Sequence, residues 1–234
     1  MIEDSGPRRH RRTARSQLDA TVVGIELTLI SIIQGLALGV LAASSVQPLI
    51  ELEWQTWSYI AAGLLTVLIF WSRSLLHTLS FIGWPLEFGH TFIYFGATLV
   101  EAVALSQVSN PERWFALNAL YAAVVWGLYG YDLRLVKQRI DDFKGNTEHA
   151  LLMDIFHDQR VNIVFMMPAA VAFQALAWWL VHAFPRIMLA QRGHLLLIGL
   201  TMLFSVNYLY GGVRVLHRRR DWIVDRNARA LTED

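Results

Sequence analysis

Glu26 and Glu101 are acidic residues placed well inside long apolar stretches of this sequence. Glu26 interrupts the first stretch and Glu101 interrupts the third. An ionisable side chain at bilayer depth is costly unless it is paired, protonated or hydrated, so such residues are functional candidates by default. Both are therefore candidate functional residues. For Glu101, the structural alternative is an ion pair with Arg113, Arg186 or Arg192 at the outer surface.

A second chemical pattern is an acid followed three positions later by a histidine. It occurs as Glu87-Phe-Gly-His90 and again as Asp154-Ile-Phe-His157. Residues at i and i+3 share a helix face, and di-iron carboxylate bundles use this spacing for metal ligands. Because the pattern is short and common, interfacial acid–histidine hydrogen bonds are the expected role. A metal-dependent membrane enzyme remains a minor alternative; otherwise we expect no enzyme activity, no catalytic residue and no cofactor.

The first apolar stretch carries small residues at helical spacing. Gly24, Thr28, Ser31, Gly35 and Gly39 recur every three or four positions and therefore share one side of a helix, which we call the small-residue face. Small residues let helix backbones approach closely. We expect this helix to pack in a crowded interior position. There, the small-residue face either packs against another helix or lines a narrow polar path. In a symmetric oligomer it can do both.

Six apolar stretches are long enough to cross a bilayer core, which needs about 20 residues. They cover residues 18–44, 54–79, 86–108, 113–136, 161–184 and 194–217. The chain is 55% apolar and only 17% charged, as a membrane protein requires. The predicted fold is all-α, a polytopic membrane protein with six transmembrane helices. Because the sequence has no cysteine, it contains no disulfide and no thiolate metal site.

The basic residues are distributed unevenly around these stretches. Seventeen of the 20 Lys and Arg residues fall on the side of the membrane that holds both chain ends. Lys and Arg in short loops stay on the cytoplasmic side, so both termini are predicted to be cytoplasmic, in the plasma (inner) membrane. Residues 1–17 then form a basic N-terminus, 18–217 the membrane domain with a cytoplasmic segment at 137–160, and 218–234 a charged tail. The orientation in the membrane is enough to explain the basic residues at both chain ends, so we expect no nucleic-acid partner.

The second stretch resembles a known family. Its sequence, Tyr59-Ile-Ala-Ala-Gly-Leu-Leu-Thr-Val-Leu-Ile-Phe70-Trp71-Ser-Arg73, is an apolar run that ends in Phe-Trp and a basic residue. This run is similar to the second helix of the bacterial homologues of the lysosomal potassium channel, a six-helix family without a glycine-rich filter. The length and layout are also similar. The family's Phe-Ser-Asp signature near the start of helix 1 is absent, and Asp19 stands near the position of its Asp.

The resemblance implies an oligomer whose first helices line a pore, with bulky aliphatic residues at the constriction. With the polar residues of the same helix, the candidates for lining that pore are Asp19, Ile25, Glu26, Thr28, Leu29, Ser31 and Ile32. The leading hypothesis is an oligomeric channel or channel-like protein for monovalent cations such as potassium. Its expected partners are the lipid bilayer, further copies of the chain and the cation. The alternatives are a non-conducting scaffold or sensor that acts through the cytoplasmic segment, and a small-solute transporter.

Overall fold

The protein was analysed as a computed structural model that describes residues 6–80, 88–142 and 148–232, with side chains described for 21–80, 89–140 and 149–220. All regular elements in these ranges are helical, which confirms the predicted all-α class. The helices are α1 Gly6–Ile50, α2 Trp54–Ser80, α3 Phe88–Leu105, α4 Pro111–Asp142, α5 Glu148–Val161, α6 Met167–Ala183 and α7 His194–Thr232.

Four helical segments are long and apolar enough to cross a membrane. They are Thr21–Ile50 in α1, Trp54–Ser80 in α2, His149–Ala183 across α5 and α6, and His194–Arg220 in α7. The apolar part of α3, Gly89–Leu105, is shorter. Helix α4 is not among the four, although it lies where the fourth span is predicted. By length and composition, these segments support a membrane protein built from apolar helices.

Local sequence explains several helix boundaries. Helix α4 begins at Pro111, and the side chain of Asn110 caps it by accepting a hydrogen bond from the backbone N–H of Arg113 at 3.0 Å. A π-helical turn, Asn162–Met166, joins α5 to α6 immediately before Pro168, which cannot donate a helical hydrogen bond. The predicted cytoplasmic segment is therefore largely helical, because α4 extends to Asp142 and α5 continues directly into α6.

The helices pack as an open ring. Helix α1 lies against α2 and α3, α3 packs on α4, α4 packs on α6, and α2 packs on α7. The last two neighbours, α6 and α7, barely touch each other. This order brings residues that are distant in the sequence to the inside of the bundle. It also leaves a gap between α6 and α7 where a cavity opens.

Aromatic packing closes one end of the ring, which we call the outer end. Tyr59 meets Trp114 edge to face with ring centroids 5.6 Å apart, and its hydroxyl lies 2.8 Å from Nδ1 of His194. Gly63 makes this packing possible, because a Cβ there would lie 2.8 Å from Cδ2 of Leu105. The opposite, inner end holds most of the buried charged side chains.

Candidate functional site

The small-residue face of α1 lies on the outside of the chain. A Cβ added at Gly24, Gly35 or Gly39 would meet no atom within 4 Å, and Thr28 and Ser31 are exposed. The expectation that this face packs in a crowded interior position of the chain is therefore wrong. The reason is that α1 turns its larger apolar residues inward. Its buried residues Ile30, Ile33, Ala37 and Leu41 belong to the hydrophobic cores.

The structure separates the candidate pore residues into two groups. Ile25 and Ile32 are 46% and 64% exposed and lie on the outward side of α1 together with Thr28 and Ser31. Leu29 is partly buried against the core, and it lines a cavity inside the bundle together with Glu26. Asp19 belongs to α1, but its side chain lies outside the described part of the chain. Within the described part of α1, the first group lies on the outside of the chain and the second faces its interior.

The inner cavity has a volume of about 50 Å³ and lies between α1, α2, α3 and α4. Its acidic and basic lining residues are Glu26, Arg73, His77, His90 and Asp132. His90 Nε2 lies 3.2 Å from Asp132 Oδ1, and His77 Nε2 lies 3.9 Å from Asp132 Oδ2. Since a water molecule needs roughly 10–15 Å³ of such space, the cavity has room for a few waters among polar partners.

Arg73 contacts three polar side chains at the inner end of the bundle. Its guanidinium lies 3.3 Å from Asp158 Oδ2, donates to Asn162 Oδ1 at 3.3 Å and to the Tyr208 hydroxyl at 3.2 Å, and stacks over the Tyr208 ring. The sequence placed Arg73 at the cytoplasmic side, but its side chain is only 12% exposed and lies within α2. The sequence signal for this contact was one arginine near the end of an apolar helix; its partners lie more than 80 positions away.

Two arginines of α7 form ion pairs with Asp154, the acid of the second acid-x-x-His pattern. Arg218 Nη2 and Arg219 Nε each lie 2.8 Å from the carboxylate of Asp154, whereas His157 is exposed. Among the residues that the structure describes, no group of three or more His, Cys, Asp or Glu side chains has an arrangement that could hold a metal ion. Glu87 lies outside those residues. The geometry therefore gives no support to the metal-enzyme alternative.

Glu101 lies deep in the bundle and is only 1% exposed. Its Oε2 accepts a hydrogen bond from Gln34 Nε2 at 3.3 Å, which joins α3 to α1. The ion pair considered for Glu101 is not present. Arg113 and Arg186 are exposed elsewhere, and Arg192 lies over the ring of Trp54. Burial of α1 against α3 explains the difference, because it places an amide rather than an outer arginine beside the carboxyl.

A second, lateral cavity of about 330 Å³ lies in the gap between α6 and α7. Apolar side chains of α2, α4, α6 and α7 form most of its wall, together with Asn118 and Gln174. The side-chain amides of Asn118 and Asn207 donate to carbonyls of their own helices at 2.9 and 2.8 Å. Gln174 Oε1 is buried without a hydrogen-bond partner.

These features define a class: an α-helical membrane protein with a buried ionic network at one end and a small-residue face on the outside of its first helix. The comparisons identify no particular protein or family within that class. The chain matches no protein family, no curated protein and no solved structure.

Proposed function

We propose that the protein is an oligomeric channel or channel-like protein for monovalent cations, and that the outward side of α1 lines the path at the axis of the oligomer. The small-residue face carries this proposal. It lies within the apolar segment Thr21–Ile50 and is uncovered in the single chain. Glycines placed against acyl chains gain little packing, whereas glycines placed against another helix allow close backbone contact.

The hydroxyls on this side suit a cation path. Thr28 donates its hydrogen to the carbonyl of Gly24 and Ser31 donates to the carbonyl of Leu27, both at 2.9 Å. Because each hydroxyl hydrogen is bound to the helix, the oxygen lone pairs remain available to coordinate a cation or water. Ile25 and Ile32 lie on the same side and would form a narrow aliphatic gate that conducts when it is wet. Leu29 and Glu26, which face the inner cavity, have no part in this path.

The same proposal includes six spans with both ends in the cytoplasm. Helix α4 packs between α3 and α6, and its polar residues Asn118 and Asp132 are buried in the bundle. A span shielded in this way tolerates polar residues that a lipid-exposed helix cannot. The basic-residue asymmetry supports the orientation. The charged network around Arg73 and Asp154 lies at the end that this orientation assigns to the cytoplasm.

The test is cation flux through the purified protein in potassium-loaded liposomes, with the oligomeric state measured by native mass spectrometry. We expect a symmetric oligomer and a potassium flux. Gly35→Leu should dissociate the oligomer and abolish the flux, because it adds bulk to the small-residue face. Gly199→Leu is the matched control, since Gly199 lies on an equally open side of α7. A well-folded monomer without flux would contradict the channel and favour the scaffold alternative.

A further inference from the structure

The contact between Gln34 and Glu101 leaves two buried acceptor oxygens without a close partner. Gln34 Nε2 donates to Glu101 Oε2. The remaining oxygens of the pair, Glu101 Oε1 and Gln34 Oε1, are both buried and have no hydrogen-bond partner. Both atoms accept hydrogen bonds when the carboxyl is ionised, so neither can satisfy the other. Buried polar atoms are almost always paired, and an orphaned pair of acceptors therefore needs an explanation.

The surroundings of Glu101 contain no compensating positive charge. The polar groups beside it are Gln34 of α1 and Tyr121 of α4, both neutral. An ionised carboxylate buried without a counter-ion is far more costly than a neutral carboxyl. A proton on Glu101 removes this charge and gives the carboxyl a donor of its own, beside the hydroxyls of Tyr121 and Tyr94. The two polar ends of the glutamine amide are interchangeable by rotation, so a carboxyl and a carboxamide can exchange two hydrogen bonds in either orientation.

We propose that Glu101 is a proton-binding site, in which the carboxyl holds a proton and shares it with the amide of Gln34. This site lies inside the bundle, whereas the proposed cation path runs along the outward side of α1. The inference therefore goes beyond the channel proposal and does not depend on it.

The inner cavity is one route by which this proton can be exchanged. Ile33, the neighbour of Gln34, lines the cavity, as does Tyr94, whose hydroxyl lies beside Gln34 and Ser74. The lateral cavity is a second route, because Tyr121, which lies beside Glu101, lines its wall. The acidic and basic groups that face the inner route are Glu26 of α1, Arg73 and His77 of α2, His90 of α3 and Asp132 of α4, together with the phenols of Tyr94 and Tyr129.

Infrared difference spectroscopy of the full chain in lipid vesicles tests the bound proton. A protonated carboxyl has a C=O stretch that is separate from the carboxylate bands. We expect this band at neutral pH in the wild type and its loss in Glu101→Gln, which preserves the shape of the neutral acid. Gln34→Leu should shift the band to higher frequency, because it removes the hydrogen bond. A wild-type spectrum with no Glu101-dependent carboxyl band at neutral pH would overturn the proposal.

Deuterium exchange of the same band tests the inner route. Asp132→Asn should slow the exchange of the Glu101 proton several-fold while leaving the band in place, because it removes a titratable group from the cavity wall. Asp154→Asn is the control. It neutralises a carboxylate at the same end of the bundle that does not line the cavity, and exchange should stay at the wild-type rate. Equal exchange rates in wild type and Asp132→Asn would overturn the assignment of exchange to the inner route.

Discussion

Arg73 and Asp158 form a largely buried ion pair, with Arg73 Nη1 3.3 Å from Asp158 Oδ2, that ties α2 to α5. The carboxylate also lies 3.7 Å from Arg219 Nη2, so one acid of α5 faces arginines from both α2 and α7. Both arginines are distant from Asp158 in the sequence. The contact therefore helps to fix the inner end, where α5 also packs on α4 and binds Arg218 and Arg219 through Asp154.

Removing the charge of Asp158 should destabilise the bundle strongly. Asp158→Asn leaves the Arg73 guanidinium buried without its anion, and breaking a buried pair in this way costs about 3 kcal/mol. We expect a clearly lower thermal unfolding midpoint for the detergent-solubilised protein. Arg214→Gln is the control, since Arg214 is exposed and bonds the exposed Tyr210 of its own helix. An equal loss of stability in both variants would show that the effect comes from surface charge and not from the pair of Arg73 and Asp158.

The close packing around Gly63 predicts a second stability effect. In Gly63→Ala the new methyl group would lie 2.8 Å from Leu105 and 3.1 Å from Trp114, so these side chains must move. Overpacking of this kind costs roughly 1–3 kcal/mol. The matched variant Gly96→Ala meets open space and should raise helix stability by about 0.5 kcal/mol or more. Thermal unfolding of both variants checks the sign of each change, and a stabilised Gly63→Ala protein would contradict this packing.

The orientation can be tested with reporter fusions. Reporters at Gln47, Asn110 and Gln191 should be found outside the cytoplasm, and one at Gly145 inside, because cytoplasmic loops retain Lys and Arg. Alkaline phosphatase and fluorescent-protein activities in intact cells distinguish the two sides. A reversed result at any two positions would discard the six-span arrangement while leaving the helical fold unaffected.

The helices were predictable from the sequence because apolar runs of bilayer length are unambiguous. The predicted span 54–79 coincides almost exactly with α2, whereas α1 and α7 extend well beyond the apolar residues. Hydropathy marks only the part of a helix that lies in hydrocarbon, so it does not detect helical ends rich in Arg. The predicted fifth span, 161–184, matches the π-helical turn and α6, and the polar helix α5 leads into it without a break.

The candidate site was less predictable because its contacts join distant helices. Glu101 was singled out by its depth, but its partner is an amide of α1 rather than an outer arginine. Asp132 was not singled out at all, and it proves to lie beside two histidines from α2 and α3. A single sequence marks a polar residue that interrupts an apolar run, as it did for Glu101, but it does not show whether that residue is buried. It does not reveal which helices become neighbours, and the pairing of helices decides which polar side chains meet.

The most direct test of the cation path is thiol block of Ser31→Cys. The chain has no native cysteine, so the introduced thiol is the only target. Potassium flux through Ser31→Cys liposomes should fall by at least several-fold after treatment with a cationic, water-soluble methanethiosulfonate reagent. Val206→Cys, exposed on α7 away from the path, should keep its flux after the same treatment. Potassium flux that the reagent leaves unchanged in Ser31→Cys, with the modification verified by mass spectrometry, would contradict a path lined by α1.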